Sequence, residues 1–422
     1  MTYPFRNQGR WLLGVILGYI IIVTGLNLLV NPLRIEPIWC SITALDSYRD
    51  IGKDLRTGKA GLIRYHHGVE VAIVGSSRFE IGVDPSQAAF KGATTLNLAL
   101  AAGLLHENIA MVRYLMARQP NLRQVVFGLE LGDLVSDTDS RKFTNFYETP
   151  LADTAASPDR EIRRLVGIAA LEESVTTLQR AILRKQSSRT PLGLWVTPHD
   201  QPDLRAFLTA NRDFVFEQVP DMYELRPQTV RAEKISKLRS LLTDLRRRKV
   251  EVLVVIAPQL ALKQIHPVAD EAKTAPWSVD RRAIYDLCRE VNAGDIPDAP
   301  SVQLWDFDTF NAQTCVALPS VLGPVRRIPH WLDMGHFDAT VGRAMVERML
   351  GRGVPSANEP LLERFGVNVL EVGIDAHLEG LRLGHARYCR EHPDDVAWVR
   401  SILPVFKFPR SGARAVAGFT AE

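Results

Sequence analysis

The stretch Val69-Glu-Val-Ala-Ile-Val-Gly-Ser-Ser-Arg78 decides the fold class of this chain. It is an apolar run rich in β-branched residues that stops at Gly75, and two serines and an arginine follow directly. This pattern is typical of a buried strand that ends in a tight turn at the carboxyl edge of a sheet. In open α/β sheets that edge is where ligands bind. Ser77 is therefore the candidate nucleophile.

After this strand the chain alternates short apolar strands with amphipathic helices. Further strands are predicted near residues 93–97, 125–131, 250–258 and 302–307, and helices over 104–118, 160–185, 229–248, 277–292 and 340–350. Such alternation calls for an α/β fold with a mostly parallel sheet and helices on both of its faces.

The predicted organisation has four parts. They are 1–31, a cytoplasmic tail and transmembrane anchor; 32–68, a connecting segment; 69–352, the α/β domain with an insertion at about 136–228 over the sheet's carboxyl edge; and 353–422, a helical and partly disordered tail.

Composition places the chain among globular proteins. Of its 422 residues 46% are hydrophobic and 23% are charged, and the formal net charge of +3 is too small to favour nucleic-acid binding. The four cysteines are scattered without a CxxC pair, which argues against a structural zinc site. A body outside the cytoplasm would permit disulfides, and Cys288 with Cys315 is the predicted pair.

The amino-terminal part contains a candidate membrane anchor. Residues 11–30 carry no charge, and about twenty such residues suffice to cross the hydrocarbon core as a helix. Arg6 and Arg10 precede the run, so the positive-inside rule places the amino terminus in the cytoplasm and the body outside. A cleaved signal peptide is the alternative, although Asn31-Pro32 stands where a small-residue cleavage site is needed. We expect a single-pass protein of the inner (cytoplasmic) membrane.

A base and its orienting partner stand near the end of the body. A serine hydroxyl becomes a useful nucleophile when a base takes its proton and a third group holds that base in the right tautomer. Asp333-x-x-His336 lies just before the last predicted helix of the α/β domain, and its spacing keeps both side chains on one turn. The DxxH pattern is common by chance. Together with Ser77 at an early strand end, it predicts a Ser-His-Asp set.

Four sequence blocks, in this order, resemble the SGNH (GDSL-like) hydrolase superfamily. They are Gly75-Ser-Ser77-Arg, Asn97-Leu-Ala-Leu-Ala-Ala-Gly103, Gly128-Leu-Glu130 and Asp333-x-x-His336. More narrowly, the chain is similar over about residues 69–351 to the membrane-anchored extracytoplasmic members, a group that includes alginate and cell-wall O-acylation proteins.

This resemblance implies a flavodoxin-like three-layer α/β/α sandwich and esterase or O-acyltransferase chemistry through an acyl-serine intermediate. It makes Ser77 the nucleophile, His336 the general base and Asp333 its orienting partner. No cofactor and no metal are expected.

The resemblance also implies where the oxyanion donors lie. The family uses the nucleophile's own N–H, a backbone N–H of the second block, here at Ala102-Gly103, and an asparagine of the third block. Glu130 stands at the asparagine position, and an ionised carboxylate cannot donate a hydrogen bond. Three interpretations are open: burial keeps Glu130 protonated, Asn97 supplies the missing donor, or turnover is slow or absent. Alternatively, Glu130 caps a turn or pairs with Arg78.

Arg78 directly follows the nucleophile, and it either binds a carboxylate or sulfate on an acceptor sugar or forms a salt bridge across the turn.

Two functions remain. The first is a membrane-anchored serine esterase or O-acyltransferase acting on acyl, chiefly acetyl, esters of a cell-surface or secreted glycan.

The second is a catalytically weak or inactive glycan-binding or assembly component of an envelope complex. Glu130 at the asparagine position and Ala99 where a glycine is expected favour it. A metal-dependent phosphatase or sulfatase is disfavoured, because no suitable carboxylate cluster stands at the predicted strand ends.

Overall fold

The computed structural model describes residues 5–35, 38–135, 144–152, 162, 165–196, 229–265, 277–318, 328–351 and 364–402. More than half of the predicted insertion and the predicted disordered end of the tail lie outside these residues.

A six-stranded, mostly parallel sheet forms the centre of the protein. Its strands are β1 (Val71–Val74), β2 (Thr95–Asn97), β3 (Gln124–Leu129), β4 (Glu251–Ile256), β5 (Gln303–Asp306) and β6 (Val367–Asn368). They are arranged in the order β2-β1-β3-β4-β5-β6, and neighbours run parallel except for β5 and β6. The predicted α/β class and mostly parallel sheet are confirmed.

Helices of very different lengths surround the sheet. Those described are α1 (Phe5–Val30), α2 (Leu55–Tyr65), α3 (Ser77–Gly82), α4 (Leu105–Arg118), α5 (Leu131–Val135), α6 (Ile168–Ile182), α7 (Ala232–Arg247), α8 (Trp277–Ala293), α9 (Ala339–Met349), α10 (Val369–Val372), α11 (Ile374–Glu391) and α12 (Pro393–Ile402). Helices α4, α7, α8 and α9 lie where the apolar periodicity predicts them, because each buries its apolar stripe against the sheet.

The sheet separates two apolar cores, since successive side chains of a strand point to opposite faces. In β1, Ala72 and Val74 enter one core, whereas Val71 and Ile73 enter the other. Helices α2, α4, α7 and α8 contribute to the first core, and α3, α9 and α11 contribute to the second. Because both faces are covered, β1, β3 and β4 are almost continuously apolar in sequence.

The strand order reverses at β1, which has β2 on one side and β3 on the other. Ligands of open α/β sheets bind in the crevice that such a reversal leaves outside the carboxyl ends of the strands. Val74 at the end of β1 is paired in register with Phe127 of β3. Ser77 follows β1 and Glu130 follows β3, so both residues lie at this crevice.

Helix α1 is long and apolar enough to cross a membrane over Gln8–Val30, in agreement with the expectation for residues 11–30. Large apolar side chains are exposed along most of its length. Its buried residues, Val23, Asn27 and Val30, share one face near the carboxyl end. The helix therefore contacts the rest of the protein with its last two turns.

The segment predicted as a tail after residue 352 contributes to the sheet and its cover. β6 pairs antiparallel with β5, joining Asn368 to Trp305. In α11, His377 Nε2 lies 2.9 Å from Asp306 Oδ2 of β5. A strand of two residues leaves no periodic pattern, which is why the sequence did not reveal it.

The predicted disulfide between Cys288 and Cys315 is wrong. Cys288 belongs to the first core and Cys315 packs against the second, so the sheet lies between them. Both are free thiols, and burial raises the pKa of Cys288 to about 12 and that of Cys315 to about 11.

Candidate active site

The turn after β1 places Ser77 at the start of α3. Gly75 has a φ of +150°, and a Cβ on it would lie 2.7 Å from Phe79 Cδ2, so only glycine fits this turn without displacement. Ser76 caps the helix, with its Oγ accepting from the N–H of Arg78 at 3.4 Å. As the first helical residue, Ser77 has a backbone N–H with no acceptor inside the helix.

Ser77, His336 and Asp333 form a hydrogen-bonded set, hereafter the triad. Ser77 Oγ lies 2.7 Å from His336 Nε2, and His336 Nδ1 lies 2.6 Å from Asp333 Oδ2. This geometry assigns the tautomer in which Nδ1–H donates to the carboxylate and Nε2 accepts from the serine hydroxyl. The fold thus brings the three predicted residues together at hydrogen-bond reach.

Asp333 is held as a carboxylate. Its Oδ1 accepts from the N–H of Gly335 at 2.7 Å and from the N–H of His336 at 2.8 Å. Burial alone would raise the pKa of Asp333, but the hydrogen bond and charge of His336 and these two N–H groups lower it to about 2. One carboxylate therefore fixes both the backbone and the ring of the base.

The loop that carries His336 packs against α3, the helix that begins at Ser77. Trp331 and Phe337 form an antiparallel bridge across the loop, and their rings meet edge to face with centroids 6.1 Å apart. The fully buried Phe337 ring packs directly on Gly82 of α3. Asp338 then caps α9 by accepting from the N–H of Thr340 at 2.8 Å.

The contacts of Glu130 favour its ionised form and argue against the interpretation in which burial keeps it protonated. Its Oε1 accepts from Ser76 Oγ at 2.5 Å, and its Oε2 lies 3.3 Å from Arg78 Nη2. Burial would raise the pKa of Glu130, but the charge of Arg78, the Ser76 hydroxyl, Lys263 and His336 lower it. Its carboxylate holds the nucleophile turn and pairs with Arg78.

Asn97 is not available as an oxyanion donor. Its side-chain amide donates to Phe79 O and Val83 O, each at 2.8 Å, and its Oδ1 accepts from the N–H of Ala99 at 3.1 Å. The residue is fully buried beneath the end of α3. It therefore positions the nucleophile's helix instead of facing the crevice.

The two candidate N–H groups of the second block, those of Ala102 and Gly103, differ in whether they have an acceptor. The Gly103 N–H donates to Leu100 O at 2.9 Å and closes a turn against Gly75. Ala102 occupies this turn with a φ of +51° and is exposed. No acceptor for the Ala102 N–H is found among the described residues. Ala102 is therefore the better candidate for the second donor.

Lys263, which no sequence motif identifies, borders the loop that carries His336. A Cβ built on Gly335 would lie 3.2 Å from Lys263 Nζ and 3.6 Å from Arg78 Nε, so both cations border the catalytic loop. Burial and the charge of Arg78 lower the pKa of Lys263 to about 8, although Glu130 and Asp333 oppose this. In the part of the chain that the structure describes, its ammonium has no hydrogen bond or ion pair. We call Arg78, Glu130 and Lys263 the charged cluster.

A buried network supports the turn that carries Lys263. Asp308 accepts from Gln264 Nε2 at 2.8 Å and from Arg281 Nη2 at 3.0 Å. Arg281 Nε also donates to Asp306 Oδ2 at 2.6 Å. Burial would raise the pKa of Asp306, but Arg281 and His377 lower it to about 2. The network ties β5, α8 and α11 to the edge of the site.

The one sequence signal for Lys263 was its place a few residues after β4, at the same sheet edge as Ser77 and Glu130. The N–H of Leu260 in this segment donates to Met334 O at 2.9 Å, which joins it to the catalytic loop. Sequence alone does not show how the chain folds back after a strand.

Comparison with known proteins gives no assignment. No family model, curated protein or solved structure matches this chain. Within the described ranges, no group of three His, Cys, Asp or Glu side chains is placed to hold a metal ion. What the site can do therefore follows from its own geometry, which is that of a hydroxyl nucleophile with a base and an orienting acid.

Proposed function

We propose that this chain is a membrane-anchored serine esterase or O-acyltransferase of the SGNH type. The observation that carries the proposal is the continuous triad from Ser77 through His336 to Asp333, located at the strand-order reversal of the sheet. The order β2-β1-β3-β4-β5 also supports a flavodoxin-like three-layer sandwich, since that fold has the same order.

The triad supports covalent catalysis in two steps. Ser77 Oγ attacks the ester carbonyl while His336 Nε2 takes its proton, and the tetrahedral intermediate expels the alcohol as His336 returns that proton to it. In the second step His336 deprotonates water or a sugar hydroxyl, which attacks acyl-Ser77 and frees the serine. Water gives hydrolysis and a sugar hydroxyl gives transfer. Asp333 stabilises the imidazolium in both steps.

The oxyanion has two candidate backbone donors, the N–H groups of Ser77 and Ala102. In the SGNH resemblance an asparagine would be the third, but Glu130 holds that position as a carboxylate. Losing one such donor costs on the order of 10² to 10³ in rate. We assign part of the compensating positive charge to Lys263, whose ammonium borders the catalytic loop.

The substrate class follows from the anchor and the resemblance together. We infer that α1 holds the amino terminus in the cytoplasm and the body outside, because Arg6 and Arg10 precede the apolar run. An acyl-ester enzyme held there would meet acyl, chiefly acetyl, esters on a cell-surface or secreted glycan, as part of an envelope biosynthesis complex.

The alternative is an inactive glycan-binding or assembly component that retains the fold. The ionised Glu130 favours it, since the site then lacks one neutral donor. The 2.7 Å contact between Ser77 Oγ and His336 Nε2 favours the enzyme, since an inactive scaffold has no need of an aligned base.

Labelling with a serine-reactive phosphonate tests the proposal. We expect one adduct on the peptide that contains Ser77, its loss in Ser77→Ala, and its retention in Ser76→Ala, which keeps the nucleophile and removes only the neighbouring hydroxyl. An unmodified wild-type protein would leave the assembly component as the function.

A further inference from the structure

Helix α6 is amphipathic, yet its apolar side faces outward. Ile168, Val175 and Ile182 recur every seven residues on one face and are 67%, 40% and 80% exposed. Leu171 and Leu178 adjoin this face and are half-buried. A surface helix of a water-soluble protein normally turns such a stripe toward the core. We call these five residues the apolar face of α6.

The buried side of α6 is polar. Ser174 and Thr177 are its buried residues, and Ser174 Oγ lies 2.8 Å from Asn27 Oδ1 of α1. Asn27 Nδ2 donates in turn to Leu165 O at 2.8 Å. Hydrogen bonds therefore join α6 to α1, and apolar burial does not explain the orientation of the helix.

The helix that carries the apolar face lies beside the carboxyl end of α1. Helix α6 packs against the carboxyl end of α1 and against the turn at Thr43–Leu45. The segment between the end of α1 and this turn exposes Trp39, at 83%, and Ile42. The Ile42 N–H donates to Leu29 O of α1 at 2.9 Å. Tryptophan is enriched where a membrane helix leaves the hydrocarbon core.

Two charged side chains of α6 lie on the side away from the apolar face. Arg180 pairs with Asp50 at 2.6 Å and Lys53 with Glu173 at 3.0 Å, both toward the body. Exposed Arg184 and Lys185 follow the helix, and Lys and Arg beside an interfacial helix are attracted to anionic lipid headgroups.

We propose that α6 lies along the outer boundary between headgroups and acyl chains of the membrane that α1 crosses, with Ile168, Val175 and Ile182 inserted. The occupant is the phospholipid bilayer, because α6 is hydrogen-bonded to the carboxyl end of α1 at Asn27 and the segment that follows α1 exposes Trp39. This inference rests on the anchoring part of the proposed function. The body would then be held against the membrane by two elements.

Spin-label accessibility in the full-length protein tests the inference. The chain is reconstituted into vesicles of phosphatidylcholine and phosphatidylglycerol after Cys40, Cys315 and Cys389 are replaced by alanine; buried Cys288 is retained. Single labels are placed at Val175→Cys and Ile182→Cys. Matched labels are placed at Ala169→Cys and Thr176→Cys, which lie about a quarter-turn or more around the helix from Ile168, Val175 and Ile182, and one in the middle of α1 at Leu17→Cys.

We expect the ratio of collision with oxygen to collision with a water-soluble nickel chelate to be severalfold higher at Val175→Cys and Ile182→Cys than at Ala169→Cys and Thr176→Cys. Equal nickel access at all four positions would show that α6 faces water. Low access to both reagents at Val175→Cys and Ile182→Cys would show a protein cover, such as a second copy. Both results overturn the inference, and a nickel-accessible Leu17→Cys would overturn the anchor with it, without bearing on the triad.

Discussion

The triad and the charged cluster border the same crevice, yet they depend on the sequence in different ways. The triad needs three residue types at two places, a strand end and the loop before α9. The fold brings Ser77 Oγ within 2.7 Å of the sequence-distant His336 Nε2, and His336 Nδ1 lies 2.6 Å from the nearby Asp333 Oδ2. The properties of the charged cluster depend on the electrostatic interactions among its three side chains. No sequence pattern specifies these interactions. Under the proposed function, the first region supplies the nucleophile and base, and the second adjusts the rate.

Disrupting the triad should have the largest effect. We expect His336→Ala and Ser77→Ala each to lower kcat for an activated acetyl ester by on the order of 10⁴, and the double variant to be no worse, since the residues act as a unit. His330→Ala is the matched control, because this exposed histidine contacts Asp338 on the same loop at 3.0 Å. Effects that multiply in the double variant would show that the two residues act independently.

Removing the orienting acid should cost slightly less. Asp333→Asn keeps the shape but presents an amide to His336 Nδ1 and favours the wrong tautomer, so kcat should fall on the order of 10³ to 10⁴. Steady-state kinetics checks this. An unchanged rate would mean that the N–H groups of the loop suffice to orient the base.

The charged cluster should show an intermediate effect through Lys263. We expect Lys263→Met to lower kcat/KM by about 10 to 10², because it removes positive charge beside the developing oxyanion. Lys263→Arg should retain most activity. Lys249→Met is the control, since Lys249 lies before β4 at the opposite sheet edge and pairs with Asp298.

The same lysine predicts a pH profile. Its pKa is lowered to about 8, so wild-type kcat/KM should fall as the pH rises through about 8 and the ammonium is lost. In Lys263→Arg this alkaline limb should disappear, because arginine stays charged. A limb that persists unchanged would assign it to another group and remove Lys263 from the site.

Glu130 should tune the cluster with a smaller effect. Its charge raises the pKa of Lys263, so Glu130→Gln should move the alkaline limb to lower pH while changing the maximal rate by less than about tenfold. Glu70→Gln is the control, because Glu70 pairs with Arg123 just before β1, away from the site. If Glu130→Gln has the same pH dependence of kcat/KM as wild type, the charge of Glu130 does not influence the pKa of Lys263.

The smallest effect concerns stability. The folded pKa of Asp333 is about 2, below the ordinary value of about 3.9. Its ionised form therefore contributes stability above pH about 4 that is lost as the pH falls toward 2. Urea midpoints in detergent should fall less steeply over this range in Asp333→Asn than in wild type. If the urea midpoints of the two proteins fall equally steeply with pH, the pKa of Asp333 is not lowered in the folded protein.

Residue patterns reveal the strand ends, the helices and the triad, because these follow from periodicity and from residue type at a sheet edge. They do not show which peptide N–H of Ala102-Gly103 is free to donate; in the structure the Gly103 N–H is bonded to Leu100 O. They also cannot show that the Asn97 amide is occupied by Phe79 O and Val83 O. The sides of the sheet on which Cys288 and Cys315 lie depend on the fold as a whole.

Mass spectrometry of acyl transfer to the protein addresses the mechanism most directly. The full-length protein is mixed with an activated acetyl ester, quenched in acid and digested, and the peptide that spans Ser76 and Ser77 is sequenced. We predict one acetyl group on Ser77, absent from Ser77→Ala and accumulating when attack by water is slowed. Absence of acetyl from that peptide, or its equal distribution between Ser76 and Ser77, would contradict nucleophilic catalysis by Ser77.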